Sequence, residues 1–356
     1  MTGVVDSVWT ARGTRPSEVE AALGRMLIER QAEQAGYVTA RALNMVCVVD
    51  RRWSGEIANR LRRVGRYHAS RTIVCAVDPG RTSIDARAMV ASDAEPHDGL
   101  VALLRETVIL EIGERHLHAL DSIVDPLVVS DVPTLLWTPH GHFDQARSVL
   151  PLVQVVLLDS VDEPELRTAI DRARDVLRLG YVVDLAWLRS TPWRERVAAT
   201  FDPPRVRRDL QAISAVTVRH HIRSVTVALL LVGWLASRLG WELTPLVRHG
   251  DTLLGRAHGR RQDVRITLQP VGDLQVRGLA GLTLETATGR WLSLDRGPGG
   301  LRAHYRNAKG DERRWTVLGA SRGEGGILGE GIRQALLRDP SYASALAAAD
   351  MLAGPG

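Results

Sequence analysis

The sequence predicts an α/β chain, with an N-terminal doubly wound, mostly parallel sheet and a C-terminal α+β domain containing an antiparallel meander. Three observations predict it. Residues 43–50 and 72–78 are short apolar runs without polar alternation, as expected of strands buried on both faces. Amphipathic segments of about ten residues or more separate such runs as far as Pro204, which implies crossover helices on both sides of a sheet. Beyond Pro204, turn signals recur about every 8 to 13 residues, the rhythm of hairpin-linked strands.

The elements follow in order. Pro16 and Ser17 open a helix over 16–35, with Val19, Leu23, Met26 and Leu27 at helical spacing and Gly36 closing it. LNMVCVVD (43–50) is the first buried strand. Over 53–64, Trp53, Ile57, Leu61 and Val64 form one apolar stripe, while Glu56, Asn59, Arg60 and Arg63 face away. Gly65 ends that helix, and TIVCAVD (72–78) completes a β-α-β start. A helix over 117–129 is interrupted near Pro126; strands over 132–138, 153–159 and 181–185 alternate with helices over 144–150 and 163–179. Thr191 is placed as the N-cap, with Pro192 at N1, of a helix reaching Phe201. Asp202-Pro203-Pro204 stops it, and Arg205-Val206-Arg207-Arg208 marks a boundary between domains 1–204 and 205–356. A strand over 212–220, a very apolar helix over 225–239, the meander, and alanine-rich helices over 332–338 and 341–352 complete the chain.

Composition narrows function. With 45% hydrophobic and 24% charged residues in 356, the chain is globular rather than disordered. The longest apolar run is shorter than the roughly 20 residues a membrane helix needs. No secretory signal opens the chain and two cysteines make no disulfide framework, so the expectation is a cytoplasmic protein without a membrane partner. Lys309 is the one lysine among 46 basic residues. That excludes a phosphate-binding Walker loop and Schiff-base chemistry, both of which need a suitably placed lysine. A net charge of +5 with 4% aromatic residues argues against a nucleic-acid partner.

Candidate sites compete with ordinary structural roles. The pairs His116/His118, His140/His142 and His220/His221 lack the spacing of a known metal motif, and no metal or other cofactor is expected. Cys47 and Cys75 lie in buried strands, where cysteine acts as a small hydrophobe. The glycine-rich stretch 322–331 suits a flexible connection better than an anion cradle. Asp50, Asp78 and Asp159 each end a strand, the edge where open α/β sheets bind ligands, but aspartate there is also an ordinary helix cap. No nucleophile elbow or dinucleotide fingerprint is present. What stands out is surface chemistry: Arg60, Arg63 and Arg66 on one side, and WLRSTPWRER (187–196) on the other, rich in the residue types of interaction hot spots.

Several long segments resemble the OpcA family, the glucose-6-phosphate dehydrogenase assembly proteins. They are RALNMVCVVD (41–50), EIANRLRRVGRYHASRTIVC (56–75), LDSIVDPLVVSDVPTLLWTPHGH (120–142), VVLLDSVDEPE (155–165) and VDLAWLRSTPWRERVAATFDPP (183–204). The resemblance is close over 41–204 and looser to about residue 350; the stretch 322–331 matches no family segment. It implies a non-catalytic protein that binds glucose-6-phosphate dehydrogenase and promotes its assembly or active conformation in the oxidative pentose phosphate pathway. Placing the arginine and aromatic residues on the matching segments assigns the contact to Arg60, Arg63, Arg66, Trp187, Arg189, Trp193 and Arg194. Thioredoxin control, linked in cyanobacterial members to C-terminal cysteines, is not carried over, because no cysteine follows Cys75. The alternative is a sugar-phosphate- or nucleotide-binding enzyme or sensor using the strand-end edge at Asp50, Asp78 and His140.

Overall fold

The computed structural model describes residues 7–33, 36–64, 70–92, 101–139, 141–272, 274–318, 323–335, 337 and 339–355, excepting the side chains of residues 63 and 324. The chain divides into two compact units, Met1–Leu158 with Gly180–Val183, and Asp159–Leu179 with Asp184–Gly356.

The first unit contains β1 (Ser7–Ala11), α1 (Pro16–Glu33), β2 (Tyr37–Thr39), β3 (Leu43–Asp50), α2 (Arg51–Val64), β4 (Ser70–Val77), β5 (Asp85–Ser92), β6 (Ala102–Ile112), α3 (Leu120–Val124), β7 (Thr134–Trp137), β8 (Val155–Leu158) and most of β9 (Tyr181–Asp184). Its sheet runs β1-β5-β6-β4-β3-β7-β8-β9, with β2 also on β6. The central strands β6, β4, β3, β7 and β8 are parallel. As expected, β3 and β4 are buried along nearly their whole length, and Val48 pairs with Cys75 in the register between them. Strands β5 and β6 are a correction, since no strand was expected over 85–112. In β6 the even-numbered residues face inward, and one of them is Glu106, a charge where the pattern calls for an apolar group. Arg71 stands opposite it on β4 and neutralises it.

Two expected helices are mostly 3₁₀ turns. Residues Glu114–Ala119, Asp125–Leu127 and Gln145–Leu152 are 3₁₀, and α3 is a single short turn. Pro126 and Pro151 each remove a backbone donor, which a continuous α-helix needs.

The second unit contains α4 (Leu166–Leu179), α5 (Leu185–Arg189), α6 (Thr191–Phe201), α7 (Pro204–Arg207), β10 (Ile213–His221), α8 (Val225–Leu239), β11 (Glu242–Leu243), β12 (Val247–His249), β13 (Thr252–His258), β14 (Asp263–Val271), β15 (Leu279–Thr286), β16 (Trp291–Gly297), β17 (Gly300–Arg306), β18 (Glu312–Leu318), α9 (Glu324–Ala335) and α10 (Ser341–Ala353). Its sheet runs β11-β13-β14-β10-β15-β16-β17-β18, with β12 also on β13. The meander is real from β15 to β18, but β10 is inserted in mid-sheet, parallel to β14 and antiparallel to β15.

Helix α8 is apolar nearly all round because it is covered nearly all round: β10 and β14 touch it, and so do α10, α4 and α5. Its Gly233 lets the α10 backbone come close, since a Cβ there would lie 2.3 Å from the Ala345 carbonyl oxygen. This packing explains why compactness divides the chain differently from the composition boundary at Pro204. The apolar faces of α4 and α5 are buried on α8, α9 and α10, so these helices belong to the second unit.

Two smaller corrections concern helix ends. Ser190, not Thr191, is the N-cap of α6, and Thr191 is its first helical residue. The glycine-rich segment is already helical from Glu324, with Ile327, Leu328 and Ile332 buried, so most of it is no flexible connection; Arg322 lies outside the described residues.

Candidate functional site

The strand-end aspartates Asp50 and Asp78 do come together. Parallel pairing aligns Asp50 with Val77 and Val77 with Ile112, which brings the carboxylates of Asp50, Asp78 and Glu111 to one end of the first unit's sheet. They line a cleft of about 680 Å³ together with Arg51, Arg52 and Ser54. Its charges are already matched. Arg81 meets Glu111 and Asp85 at 2.6 Å and Asp78 at 3.2 Å, while Arg51 lies 3.2 Å from Glu111. Asp50 pairs with Arg52 at 3.2 Å and with the His142 ring at 2.7 Å. Burial raises the Asp50 carboxyl, but the His142 hydrogen bond and the charges of His142 and Arg52 overcome it and hold the group below its usual range. His142 reaches that position from a left-handed backbone, φ 64°, after Gly141. His140, the histidine expected here, lies outside the described residues.

His116, His220 and His221 do structural work. The His116 Nδ1 accepts the Gly113 N–H, the His221 Nδ1 accepts the Arg223 N–H, and the His220 Nδ1 pairs with the His221 carbonyl. Among the described residues no cluster of three His, Cys, Asp or Glu side chains could hold a metal. Cys47 and Cys75 are free and fully buried, and burial pushes the Cys75 thiol up to about 12.

The arginine and tryptophan segment is corrected by burial. Trp187 and Trp193 are 2% and 1% exposed and Arg189 is 4% exposed, so none offers a surface to a partner. The reason is internal pairing. Trp187 donates its indole N–H to Asp339 at 2.8 Å, and the Arg194 guanidinium stacks 3.5 Å from its ring centre. Arg194 also donates to Ser190 and Thr191, and burial pushes its pKa down to about 10. Arg189 grips Asp159 with two bonds of 2.7 and 2.8 Å. The strand-end aspartate is thus an ion-pair partner rather than a ligand group. Of the other expected contacts, Arg60 is half-buried with its guanidinium 5.6 Å from the Trp137 ring, and the Arg63 side chain and Arg66 lie outside the described residues.

Two features of the second unit escaped sequence reasoning. The first is Asp184, the N-cap of α5, which is buried and accepts from the backbone N–H groups of Ser160 and Ala186 and from the hydroxyls of Ser160 and Tyr342. Burial, reinforced by the nearby Asp159 charge, raises its carboxyl to about 6 despite these donors.

The second is a cleft of about 900 Å³ whose lining includes five arginines and one carboxylate. Helix α6 buries Trp193, Val197 and Phe201 and turns Arg196 and Thr200 to the cleft. On the sheet side, Arg313 stands opposite Tyr305 and Trp315 opposite Ala303, so all four share a face of β17 and β18. Arg290 is paired, 2.6 Å from Asp209 and donating to the Tyr305 hydroxyl at 2.8 Å. The only signal available in sequence was arginine in 187–196 and 205–208, and it pointed to a partner surface and a boundary instead.

Family comparison completes the picture. The model described as the glucose-6-phosphate dehydrogenase subunit N-terminal domain matches residues 62–175, and the one described as the C-terminal domain of that subunit matches 180–346. The chain belongs to the OpcA family. A Nostoc punctiforme protein, provisionally named the OxPP cycle protein OpcA, is 29% identical over 154 residues, covering 42% of this chain and 33% of its own length. A Synechococcus elongatus protein of the same provisional name is 28% identical over 178 residues, covering 47% of this chain and 40% of its own length. The matched region thus spans well under half of these OpcA relatives. Among solved structures, the WlbA dehydrogenase of Thermus thermophilus is similar over 88% of this chain and 96% of its own, at 15% identity and a TM-score of 0.43. Scyllo-inositol dehydrogenase from Lactobacillus casei is similar over 89% and 96%, at 11% identity and the same TM-score. Likeness at that level extends to no activity.

Proposed function

We propose that this OpcA-family protein is a non-catalytic partner of glucose-6-phosphate dehydrogenase, one that promotes the enzyme's assembly or active conformation. The observation that carries the reading is the ordered pair of family matches, each described as a domain of a glucose-6-phosphate dehydrogenase subunit, together spanning most of the chain. The alternative of a ligand-binding enzyme at the strand-end edge is weakened, because the carboxylates there are each held by arginine or histidine. A partner that binds the competent form of an enzyme more tightly than the incompetent form shifts their populations by that ratio. No residue of the partner need touch the reacting sugar phosphate.

The test is a titration of the full chain into the dehydrogenase of the same organism, with mass photometry and initial rates followed together. The reading expects a heavier complex and a lower apparent KM for glucose 6-phosphate or a higher kcat. Unchanged mass together with unchanged rates would remove it.

A further inference from the structure

We propose that the arginine-lined cleft of the second unit is a binding site for a nucleoside di- or triphosphate. The phosphates would be held by Arg196, Arg205 and Arg313 and the base would stack on Trp315. This inference does not rest on the partnership with the dehydrogenase, since every observation behind it lies in the cleft itself.

The first observation is unmatched charge. Arg290 and Arg314 have partners, in Asp209 and Glu312. Among the described residues no carboxylate pairs with the guanidinium of Arg196, Arg205 or Arg313, although 41 acidic residues are available to the chain. The Arg196 Nε is fully buried and makes no hydrogen bond among the described residues. A buried donor left unmade costs about 1–3 kcal/mol, so the Arg196 guanidinium is under-satisfied by the fold itself. Asp311, the one lining carboxylate among the described residues, is occupied by the Asn307 amide at 2.8 Å.

The second observation is the kind of cation. Guanidinium groups present planar forks that match phosphate oxygens two at a time, and they keep their charge throughout the physiological pH range. Three of them in one concavity suit a compact ligand with several negative oxygens better than carboxylates strung along a peptide. The third is the aromatic wall. Trp315 is half-buried, faces small Ala303 across the strand pair, and has no ring contact among the described residues. Its neighbour on that face, Tyr305, is fixed by Arg290. A free indole face beside phosphate-seeking arginines is the chemistry that receives a base. The cleft volume, about 900 Å³, lies within the range of small-molecule sites.

Calorimetric titration of the full chain with ADP, inorganic pyrophosphate, adenosine and a deca-glutamate peptide tests this. ADP is expected to bind saturably, with pyrophosphate and adenosine each at least about tenfold weaker, because each keeps half of the contacts. R196Q and R313Q should weaken ADP at least about tenfold, while W315L should weaken ADP and leave pyrophosphate unchanged. Melting temperatures equal to wild type would show that the variants are folded, and R205Q provides an exposed-residue variant should R196Q melt early. Absence of saturable ADP binding at millimolar concentration overturns the proposal. So does ADP binding that the folded arginine variants leave intact, pyrophosphate binding as tight as ADP, or a clear preference for the glutamate peptide, which would make the cleft a protein-docking surface.

Discussion

Named sites in the two units treat charge in opposite ways, although the second unit also holds matched pairs such as Arg189 with Asp159. In the first, acidic residues at the sheet end and in the sheet interior meet arginine: Asp78, Asp85 and Glu111 share Arg81, and Glu106 is held by Arg71 and Arg41. In the second, Asp184 is buried with hydroxyl and amide donors and no cation among the described residues, while Arg196, Arg205 and Arg313 stand without an anion. Arginine content alone therefore says little about function in so arginine-rich a chain. What separates scaffold from binding surface is whether the charge is already matched, and four substitutions measure that difference.

Arg71→Leu should have the largest effect. Arg71 is 3% exposed and Glu106 1%, and Arg71 also donates to Glu20 at 2.6 Å and to the Leu127 carbonyl at 2.9 Å. Removing one partner strands the other, which costs about 3–5 kcal/mol. Urea denaturation should show that loss, and adding Glu106→Gln should recover part of it. A cost near zero would mean that the first unit does not depend on matched charge.

Asp184 provides the opposite case. Its folded carboxyl lies at about 6, above the ordinary value of 3.8, chiefly through burial. Below the ordinary value it is protonated in both states and contributes nothing adverse. As pH rises toward about 6 only the folded state still holds the proton, so stability falls through that window and levels off above it. The full change is on the order of 3 kcal/mol. Asp184→Asn should flatten this slope, because an amide can donate to Tyr342 or Ser160 while still accepting from the two backbone N–H groups. A slope that survives the substitution would place the proton elsewhere.

These contrasts also explain what could be read in the sequence. Strands β3 and β4 were legible because both faces are apolar, and their parallel pairing made Asp50 and Asp78 neighbours in advance. Strand β6 was not, because Glu106 breaks its alternation and it takes Arg71 and Arg41, 35 and 65 residues away, to make that tolerable. Trp187 and Arg194 were both read as interaction-prone side chains, but sequence does not say whether such side chains meet a partner or, as here, each other. The arginine cleft was hidden for a related reason. Arg196, Arg205 and Arg313 come from α6, α7 and β18, and it takes the β17–β18 register and one helical face to assemble them.

Arg81→Ala should cost less than either buried case. Arg81 is 18% exposed and its partners Asp78, Asp85 and Glu111 are 22–32% exposed, so solvent screens what the geometry concentrates. A loss of about 1 kcal/mol is expected, shrinking as salt is raised from 0.05 to about 0.5 M. A larger, salt-insensitive loss would mean that the edge is stiffer and drier than its exposure implies.

Arg313→Gln should have the smallest effect on stability and the most informative one on binding. With no carboxylate to lose among the described residues, and with like charges lining the same cleft, removing this exposed guanidinium should change stability by no more than about 0.5 kcal/mol in either direction. A ligand that binds only the folded state adds RT ln(1 + [L]/Kd), so ADP at a hundred times its dissociation constant should stabilise the wild type by about 2.7 kcal/mol. If Arg313→Gln weakens ADP tenfold, the same concentration should stabilise the variant by about 1.4 kcal/mol, which thermal shift resolves. Equal bare stabilities with unequal ADP shifts would establish that this arginine is kept for something outside the fold. A large loss of bare stability would instead make Arg313 a structural residue like Arg71, and the distinction between matched and unmatched charge would fail where it matters most.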